Sequence, residues 1–115
     1  MPRKSIFDMR FSAVYPALLQ KAVGKERRED EVHALTRWLT GYTQEAIEEA
    51  MLSELSYGDF FRNAPAIHPN AVDITGRICG LRVEAIEDPL MQRIRWLDKL
   101  VDELAKGKPM EKILR

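Results

Sequence analysis

The chain has 115 residues, which is enough for one ordinary domain and too short for two. Its 45% hydrophobic and 31% charged residues are typical of a globular chain and exclude a disordered one. The net charge is zero, which argues against nucleic acid as a partner, because non-specific binding depends on excess positive charge.

A single cysteine, Cys79, excludes an internal disulfide and is typical of a reducing compartment. No apolar run approaches the roughly 18 residues that a membrane span needs. We therefore expect one cytoplasmic domain over residues 1–115, without a membrane partner.

Periodicity predicts two helices in the first 40 residues. The first, over 16–23, ends at Gly24, and its buried residues are expected to be Leu18, Leu19 and Ala22. The second, over 29–40, ends at Gly41, and its apolar face consists of Val32, Leu35, Trp38 and Leu39.

Thr43 is predicted to cap a third helix, whose apolar side consists of Ile47, Ala50, Met51 and Leu55. A further helical turn or two over 56–64 would place Phe60 and Phe61 in the core. The second and third helices have the outline of a helix-turn-helix. The third helix carries four glutamates, which phosphates would repel, and has no basic residue before Arg62. We therefore interpret the pair as an αα-hairpin.

The clearest helix lies near the carboxyl end, over 89–106, with Asp88 as its N-cap and Gly107 after its end. Its apolar stripe consists of Leu90, Ile94, Leu97, Val101 and Leu104. We interpret this stripe as the centre of the core; the alternative is that it also pairs with a second copy of the chain, giving a homodimer. A short helix is predicted to follow from Pro109.

Residues 66–87 allow two interpretations. If the segment is a helix capped by Asn70, the side chains that face the core are Val72, Ile74, Ile78 and Cys79. As a strand, it would alternate at Cys79, Leu81, Val83 and Ala85. The other alternating run available for pairing consists of Phe7, Met9 and Phe11. The predicted fold is therefore all-α, a compact multi-helical domain, with a mainly α fold carrying a small two-stranded β element as the alternative.

The segment over 75–84 contains most of the candidate functional residues. Arg77 and Arg82 flank Cys79, and neighbouring positive charge favours a reactive thiolate. A redox-sensing thiol, a nucleophile or a small-anion pocket would use such a group. The alternative is a buried thiol acting as a small hydrophobe, with Gly76 and Gly80 allowing close packing. The candidate binding residues are Cys79, Arg77, Arg82, Glu84 and His68, with Tyr42 as a possible neighbour.

No established catalytic or metal-binding motif accompanies these residues. His33 and His68 have no ligand-like spacing, and the sequence has no phosphate-binding loop, nucleophile elbow or dinucleotide fingerprint. A catalytic pair of Cys79 and His68 requires a proximity that sequence does not establish. We therefore assign no catalytic residue, metal or cofactor.

Several segments together resemble an uncharacterised bacterial family, number 2200 among the domains of unknown function. The segments are FSAVYP (11–16), RWLTGY (37–42), ITGRICGLRVE (74–84), EDPLMQ (87–92), IRWLDKL (94–100), DELAKGK (102–108) and MEKILR (110–115). The resemblance spans nearly the whole chain. It implies a bacterial cytoplasmic protein of single-domain size and transfers no site.

Three functional hypotheses follow from the sequence. The first is a non-enzymatic module that contacts another protein or itself. The second is a small-molecule or anion-binding protein, or an enzyme, with its pocket around Cys79, Arg77, Arg82 and Glu84. The third, weak nucleic-acid binding, would need a basic face built from Arg3, Lys4, Arg10, Lys21, Lys25, Arg27 and Arg28.

Overall fold

A computed structural model of the chain describes residues 5–115. Over these residues the chain forms six α-helices: α1 (Phe11–Val23), α2 (Glu29–Thr40), α3 (Gln44–Met51), α4 (Tyr57–Arg62), α5 (Pro89–Ala105) and α6 (Met110–Ile113). Two short strands, β1 (Arg77–Ile78) and β2 (Leu81–Arg82), lie between α4 and α5. The fold is mainly helical with a small two-stranded sheet, as the alternative form of the fold prediction states.

Helix α5 lies at the centre of the fold and packs against α1, α2, α4, α6 and β1. Asp88 accepts hydrogen bonds from the backbone N–H groups of Leu90 and Met91, which confirms the predicted N-cap. Four of the five predicted stripe residues, Ile94, Leu97, Val101 and Leu104, are at most 1% exposed, and Leu90 is half-buried. The stripe is therefore the core that the sequence predicts, and little of it remains exposed for pairing with a second copy.

Helix α1 begins at Phe11, five residues before the predicted start, so Pro16 lies inside the helix. The early start places Phe11 and Tyr15 one turn apart in the core, with ring centroids 4.6 Å from each other. Phe60 of α4 stacks on Phe11 at 4.2 Å. Burial of these rings offsets the backbone hydrogen bond that a proline cannot make. Leu18, predicted as buried, is only half-buried.

Helix α3 ends at Met51, so the prediction that it reaches Leu55 is wrong. The backbone around Ser56 pairs with that around Arg10 in an isolated antiparallel bridge. Within it, the N–H of Phe11 donates to the carbonyl of Leu55 at 2.8 Å. A residue paired in this way is extended, so the helix must end before it.

Residues 66–87 contain a hairpin and two short 3₁₀ turns, Pro69–Asp73 and Val83–Ala85, so the helical interpretation of this segment is wrong. The strand partner is local: Arg77 faces Arg82 and Ile78 faces Leu81, and residues 7–11 are not involved. Cys79 (φ 52°) and Gly80 (φ 78°) form the two-residue turn, both in the left-handed region that hairpin turns of this length require.

The role of Gly80 is conformational. A Cβ added there would meet nothing within 4 Å, so close packing does not explain this glycine.

In the described part of the chain, no helix is both long and apolar enough to cross a membrane.

Candidate functional site

Cys79 is exposed, so the interpretation of a buried thiol is wrong. The turn projects it to the mouth of a cleft of about 280 Å³, which we call the hairpin cleft. The apolar wall of the cleft consists of Ile6, Val14, Ala17, Leu18, Ile78 and Ile94. Its polar residues are Lys21, Tyr57, Cys79, Arg95 and Asp98. The cleft thus combines an apolar wall with a small group of ionisable side chains.

Arg95 organises the polar part of the hairpin cleft. Its Nη1 donates to Asp98 Oδ2 at 2.9 Å, one turn further along α5, and lies 3.9 Å from the Sγ of Cys79. Among the described residues, its Nε finds no hydrogen-bond partner although the atom is buried. The Nη1 group of Arg95 is therefore held by Asp98, whereas its Nε–H donates to none of the described residues.

Tyr57 has the same property on the neighbouring wall. The residue is 1% exposed, and its hydroxyl has no hydrogen-bond partner within residues 5–115. Leaving a buried polar group unbonded costs about 1–3 kcal/mol, so such groups are rare in folded proteins. Two of them, Tyr57 Oη and Arg95 Nε, belong to residues lining one cleft.

The electrostatics of the cleft keep Tyr57 neutral. Burial raises the pKa of Tyr57 well above its usual value, and the Asp98 carboxylate raises it further. Tyr57 is therefore a phenol with an O–H to donate at neutral pH. Burial also raises the pKa of Asp98, while the hydrogen bond from Arg95 opposes that shift. Lys21 lies at the cleft with its Nζ 3.2 Å from Asp102 Oδ1.

The hairpin residues Arg77, Arg82 and Glu84 do not line the cleft. The two arginines are exposed and face each other across the strands, where like charges repel. Glu84 Oε2 accepts a hydrogen bond from the Gly76 N–H at 3.0 Å. Backbone hydrogen bonds lower the pKa of Glu84. The structure gives Glu84 a local role in holding the hairpin loop.

His68 lies in the loop before the first 3₁₀ turn, and it does not line the hairpin cleft. Its Nδ1 accepts a hydrogen bond from the Asn70 N–H at 3.0 Å, so His68, and not Asn70, is the cap of this turn. Its ring stacks on Trp38 with centroids 4.2 Å apart. Across residues 5–115, no three His, Cys, Asp or Glu residues are grouped so as to hold a metal ion.

The proposed basic face is interrupted by ion pairs. Arg10 lies 3.2 Å from Glu54, and Arg27 lies 2.6 Å from Glu31. Lys21 pairs with Asp102, as described above. Arg3 and Lys4 lie outside the described residues.

Sequence reasoning missed Tyr57, Arg95 and Asp98. Tyr57 has the pattern of a core aromatic residue at the start of a short helix, and nothing local distinguishes its hydroxyl. Arg95 carried the better signal, because it lies between Ile94 and Trp96, both of which are buried. A charged residue between two core positions of one helix is a candidate for a partly buried site.

Comparisons with known proteins agree with the resemblance found in the sequence. A solved structure entitled "Crystal structure of uncharacterized protein SP1917" is 48% identical, with a TM-score of 0.92 over 98% of this chain and 94% of that one. A search of curated proteins finds no match. Residues 5–115 match the family described as an uncharacterized protein conserved in bacteria, DUF2200, and the chain therefore belongs to that family.

Proposed function

We propose that this protein binds a small molecule in the hairpin cleft, and that the molecule has an apolar body and a polar head. The observation that carries the proposal is the make-up of the cleft, in which an apolar wall adjoins the ionisable side chains of Lys21, Arg95 and Asp98. The sequence also suggested a small-molecule or anion-binding protein, but with a pocket at a different place. Cys79 remains in it, and Arg77, Arg82, Glu84 and His68 give way to residues of α4 and α5.

A ligand with an apolar body and a polar head would match both parts of the cleft. Its body would pack on the apolar wall, and its head would meet the ionisable side chains. The volume of about 280 Å³ is at the lower end of ligand pockets, which span roughly 300–1,000 Å³. A metabolite of a few carbon atoms is the size that this cleft supports.

We propose binding without a covalent step. The hydrogen-bond partner of the Cys79 thiol within the described residues is Arg95 Nη1, and a guanidinium does not act as a base. A cysteine nucleophile is commonly paired with a histidine that takes up the thiol proton, and neither His33 nor His68 lines the cleft. The arrangement therefore favours a binding protein over an enzyme.

The site is tested by filling it. Ala17 is an exposed residue of α1 that lines the cleft, so Ala17→Trp obstructs the cleft without disturbing the core. Ala13→Trp, at an exposed position one turn earlier on α1, is the matched control. The probes are hexanoate, hexan-1-ol and hexylamine, which share a chain and differ in the head group.

We expect at least one probe to raise the melting temperature of the wild-type protein and of Ala13→Trp, because a ligand that binds the folded state stabilises it. Ala17→Trp should show no such rise. If none of the three probes stabilises the wild-type protein, or if Ala17→Trp responds as the control does, the proposal is wrong.

A second candidate function, self-association, is favoured by Leu52. This residue follows α3 and is 90% exposed, and it lines a groove of about 430 Å³ together with Leu19, Ile47 and Met51. An exposed leucine beside an apolar groove is self-complementary about a two-fold axis, because each copy can insert its Leu52 into the groove of the other.

Sedimentation velocity tests this second candidate. We expect a concentration-dependent dimer for the wild-type protein and a monomer for Leu52→Ser. Val72→Ser, which alters a 69% exposed residue elsewhere, is the control and should still dimerise. A wild-type protein that is monomeric at all concentrations contradicts self-association.

We also propose a cytoplasmic location and a single folding unit. An exposed free thiol at Cys79 is compatible with a reducing compartment. The buried apolar residues form one cluster that includes residues from Phe11 to Ile113, which supports one domain. The zero net charge and the ion pairs of Arg10, Lys21 and Arg27 support the expectation that nucleic acid is not a partner.

A further inference from the structure

We propose that the outer face of the hairpin is a second binding site, where Arg77 and Arg82 together bind a phosphate dianion, either free or as the monoester of a small molecule. The site is separate from the hairpin cleft, which neither arginine lines. The inference is carried by the strand register, which places the two arginines directly opposite each other.

The register makes the two arginines close neighbours. The next pair along the strands is joined by a hydrogen bond, from the N–H of Val83 to the carbonyl of Gly76 at 2.9 Å. Because hydrogen-bonded and non-hydrogen-bonded pairs alternate in an antiparallel sheet, Arg77 and Arg82 form a non-hydrogen-bonded pair. The Cα atoms of such a pair are about 4.5 Å apart, and both side chains project from the same face. Ile78, on the opposite face, is buried, so the arginines face solvent.

Among the described residues, no carboxylate forms an ion pair with either arginine. Glu84 is the one acidic residue of the segment over 75–84, and its Oε2 accepts the hydrogen bond from the Gly76 N–H. Like charges directly opposite each other destabilise a sheet. An anion bound between the two guanidiniums would replace this repulsion with charge-assisted hydrogen bonds.

Side chains of α5 hold the hairpin in place. Lys99 Nζ donates to the Arg77 carbonyl at 3.3 Å. Gln92 Nε2 donates to the Val83 carbonyl at 3.2 Å. Lys99 reaches its acceptor because Gly76 has no side chain, and a Cβ there would lie 3.1 Å from Lys99 Cε. The backbone that carries the two arginines is therefore fixed before a ligand binds, which lowers the entropic cost of binding.

Charge and geometry favour a phosphate over a carboxylate. A guanidinium donates two parallel N–H bonds to one anion, so two guanidiniums match a ligand with at least three oxygens and two negative charges. A phosphate monoester has its second pKa near about 6 and is mainly a dianion at neutral pH. A carboxylate has one charge and two oxygens, so it would occupy one arginine and leave the repulsion in place.

Nuclear magnetic resonance titration with methyl phosphate, inorganic phosphate and acetate, at neutral pH and constant ionic strength, tests the site. We expect saturable shifts of the backbone amides of Arg77 and Arg82 with both phosphates, and binding about tenfold weaker for acetate. Tighter binding of inorganic phosphate than of methyl phosphate would assign the site to the free ion, and the reverse or equal affinity to a monoester. Acetate binding as tightly as the phosphates, or no saturable shift at either arginine, would overturn the inference.

Arg82→Gln tests the joint action of the two arginines. Because it leaves a single guanidinium, we expect the affinity for phosphate to fall about tenfold. Lys25→Gln, which removes a positive charge from an exposed position of another segment, is the control and should bind phosphate as the wild type does. Unchanged affinity in Arg82→Gln, or an equal loss in Lys25→Gln, would contradict the site.

Ala17→Trp separates this inference from the proposed function. This variant obstructs the hairpin cleft and leaves the outer face of the hairpin unaltered, so it should bind phosphate with the affinity of the wild type. A loss of phosphate binding in Ala17→Trp would place the anion in the cleft and overturn the second site. Failure of the hexyl probes to bind would leave the phosphate result unaffected.

Discussion

At the scale of single residues, two buried tyrosines make opposite contributions. Tyr15 is fully buried, and its hydroxyl forms hydrogen bonds with Thr36 Oγ1 at 2.8 Å and His33 Nδ1 at 3.0 Å. Burial raises the pKa of Tyr15 to about 12. Tyr57 is equally buried but has an unbonded hydroxyl in the described structure. The same residue type therefore stabilises the fold at one position and destabilises it at the other.

We predict that Tyr15→Phe lowers the free energy of unfolding by about 1 kcal/mol, because it leaves polar partners unbonded. Tyr57→Phe should raise it by about 1 kcal/mol, because it removes a buried group that has none. Urea denaturation of the two variants and the wild-type protein measures both changes. A decrease of similar size in both variants would show that the hydroxyl of Tyr57 is satisfied in solution.

The residue scale also shows what sequence left open. Cys79 was a candidate from its arginine neighbours, but its burial depended on whether the segment forms a helix or a turn. The Cys-Gly turn exposes it, and the guanidinium near its sulfur is that of Arg95, sixteen residues away. Tyr15 and Tyr57 differ only through partners on other helices, which no local pattern can show.

At the scale of elements, Arg27 links the start of α2 to the end of α5. Its Nε and Nη2 donate to both oxygens of Glu31 in the first turn of α2, at 3.2 and 2.6 Å. Its Nη1 donates to the carbonyls of Leu104 and Lys108 near the end of α5. The pair holds the pKa of Glu31 down at about 2, chiefly through the hydrogen bonds from Arg27.

We predict that Glu31→Gln lowers the free energy of unfolding by about 2 kcal/mol at pH 7. Because the pKa of Glu31 is depressed on folding, its charge stabilises the protein above pH 4.5, and this contribution is lost as the pH falls toward 2. The difference between variant and wild type should therefore shrink below pH 4.5. Glu87→Gln, at an exposed position outside the pair, is the control. A pH-independent difference would contradict this account.

The hairpin turn makes a second prediction at this scale. Cys79→Asn should raise the free energy of unfolding by about 0.5–1 kcal/mol, because asparagine tolerates the left-handed conformation better and Asn-Gly is the preferred pair for this turn. Gly80→Ala should lower it by about 1 kcal/mol through backbone strain alone, since its Cβ meets no neighbour. Thermal denaturation checks both, and a neutral Gly80→Ala would argue against the turn.

The elements that sequence predicted well are those with local signals. The caps at Asp88 and Thr43 lie within a few residues of the N–H groups they bond, so the starts of α5 and α3 could be predicted. The start of α1 and the end of α3 depended instead on the bridge between residues 10 and 56. That contact joins distant parts of the chain, and local propensity does not encode it.

At the scale of the whole molecule, the core and the candidate site differ in how they arise. Apolar periodicity is enough to predict which face of α5 is buried, because the repeat is contained in one helix. The hairpin cleft forms only when α1, α4, α5 and the hairpin come together. No repeated sequence pattern marks its polar residues. The sequence therefore predicted the helical class and one residue of the cleft, Cys79, but not Tyr57, Arg95 or Asp98.

The most direct test of the central claim is a nuclear magnetic resonance titration of the isotope-labelled protein with hexanoate, hexan-1-ol and hexylamine in turn. The Nε–H group of Arg95 gives a signal of its own, and this residue lines the hairpin cleft. We predict saturable shifts of that signal and of the backbone amides of Tyr57 and Leu18, with the surroundings of His68 unchanged. Shifts confined to Arg77, Arg82 or His68, or no saturable shift, would contradict the account.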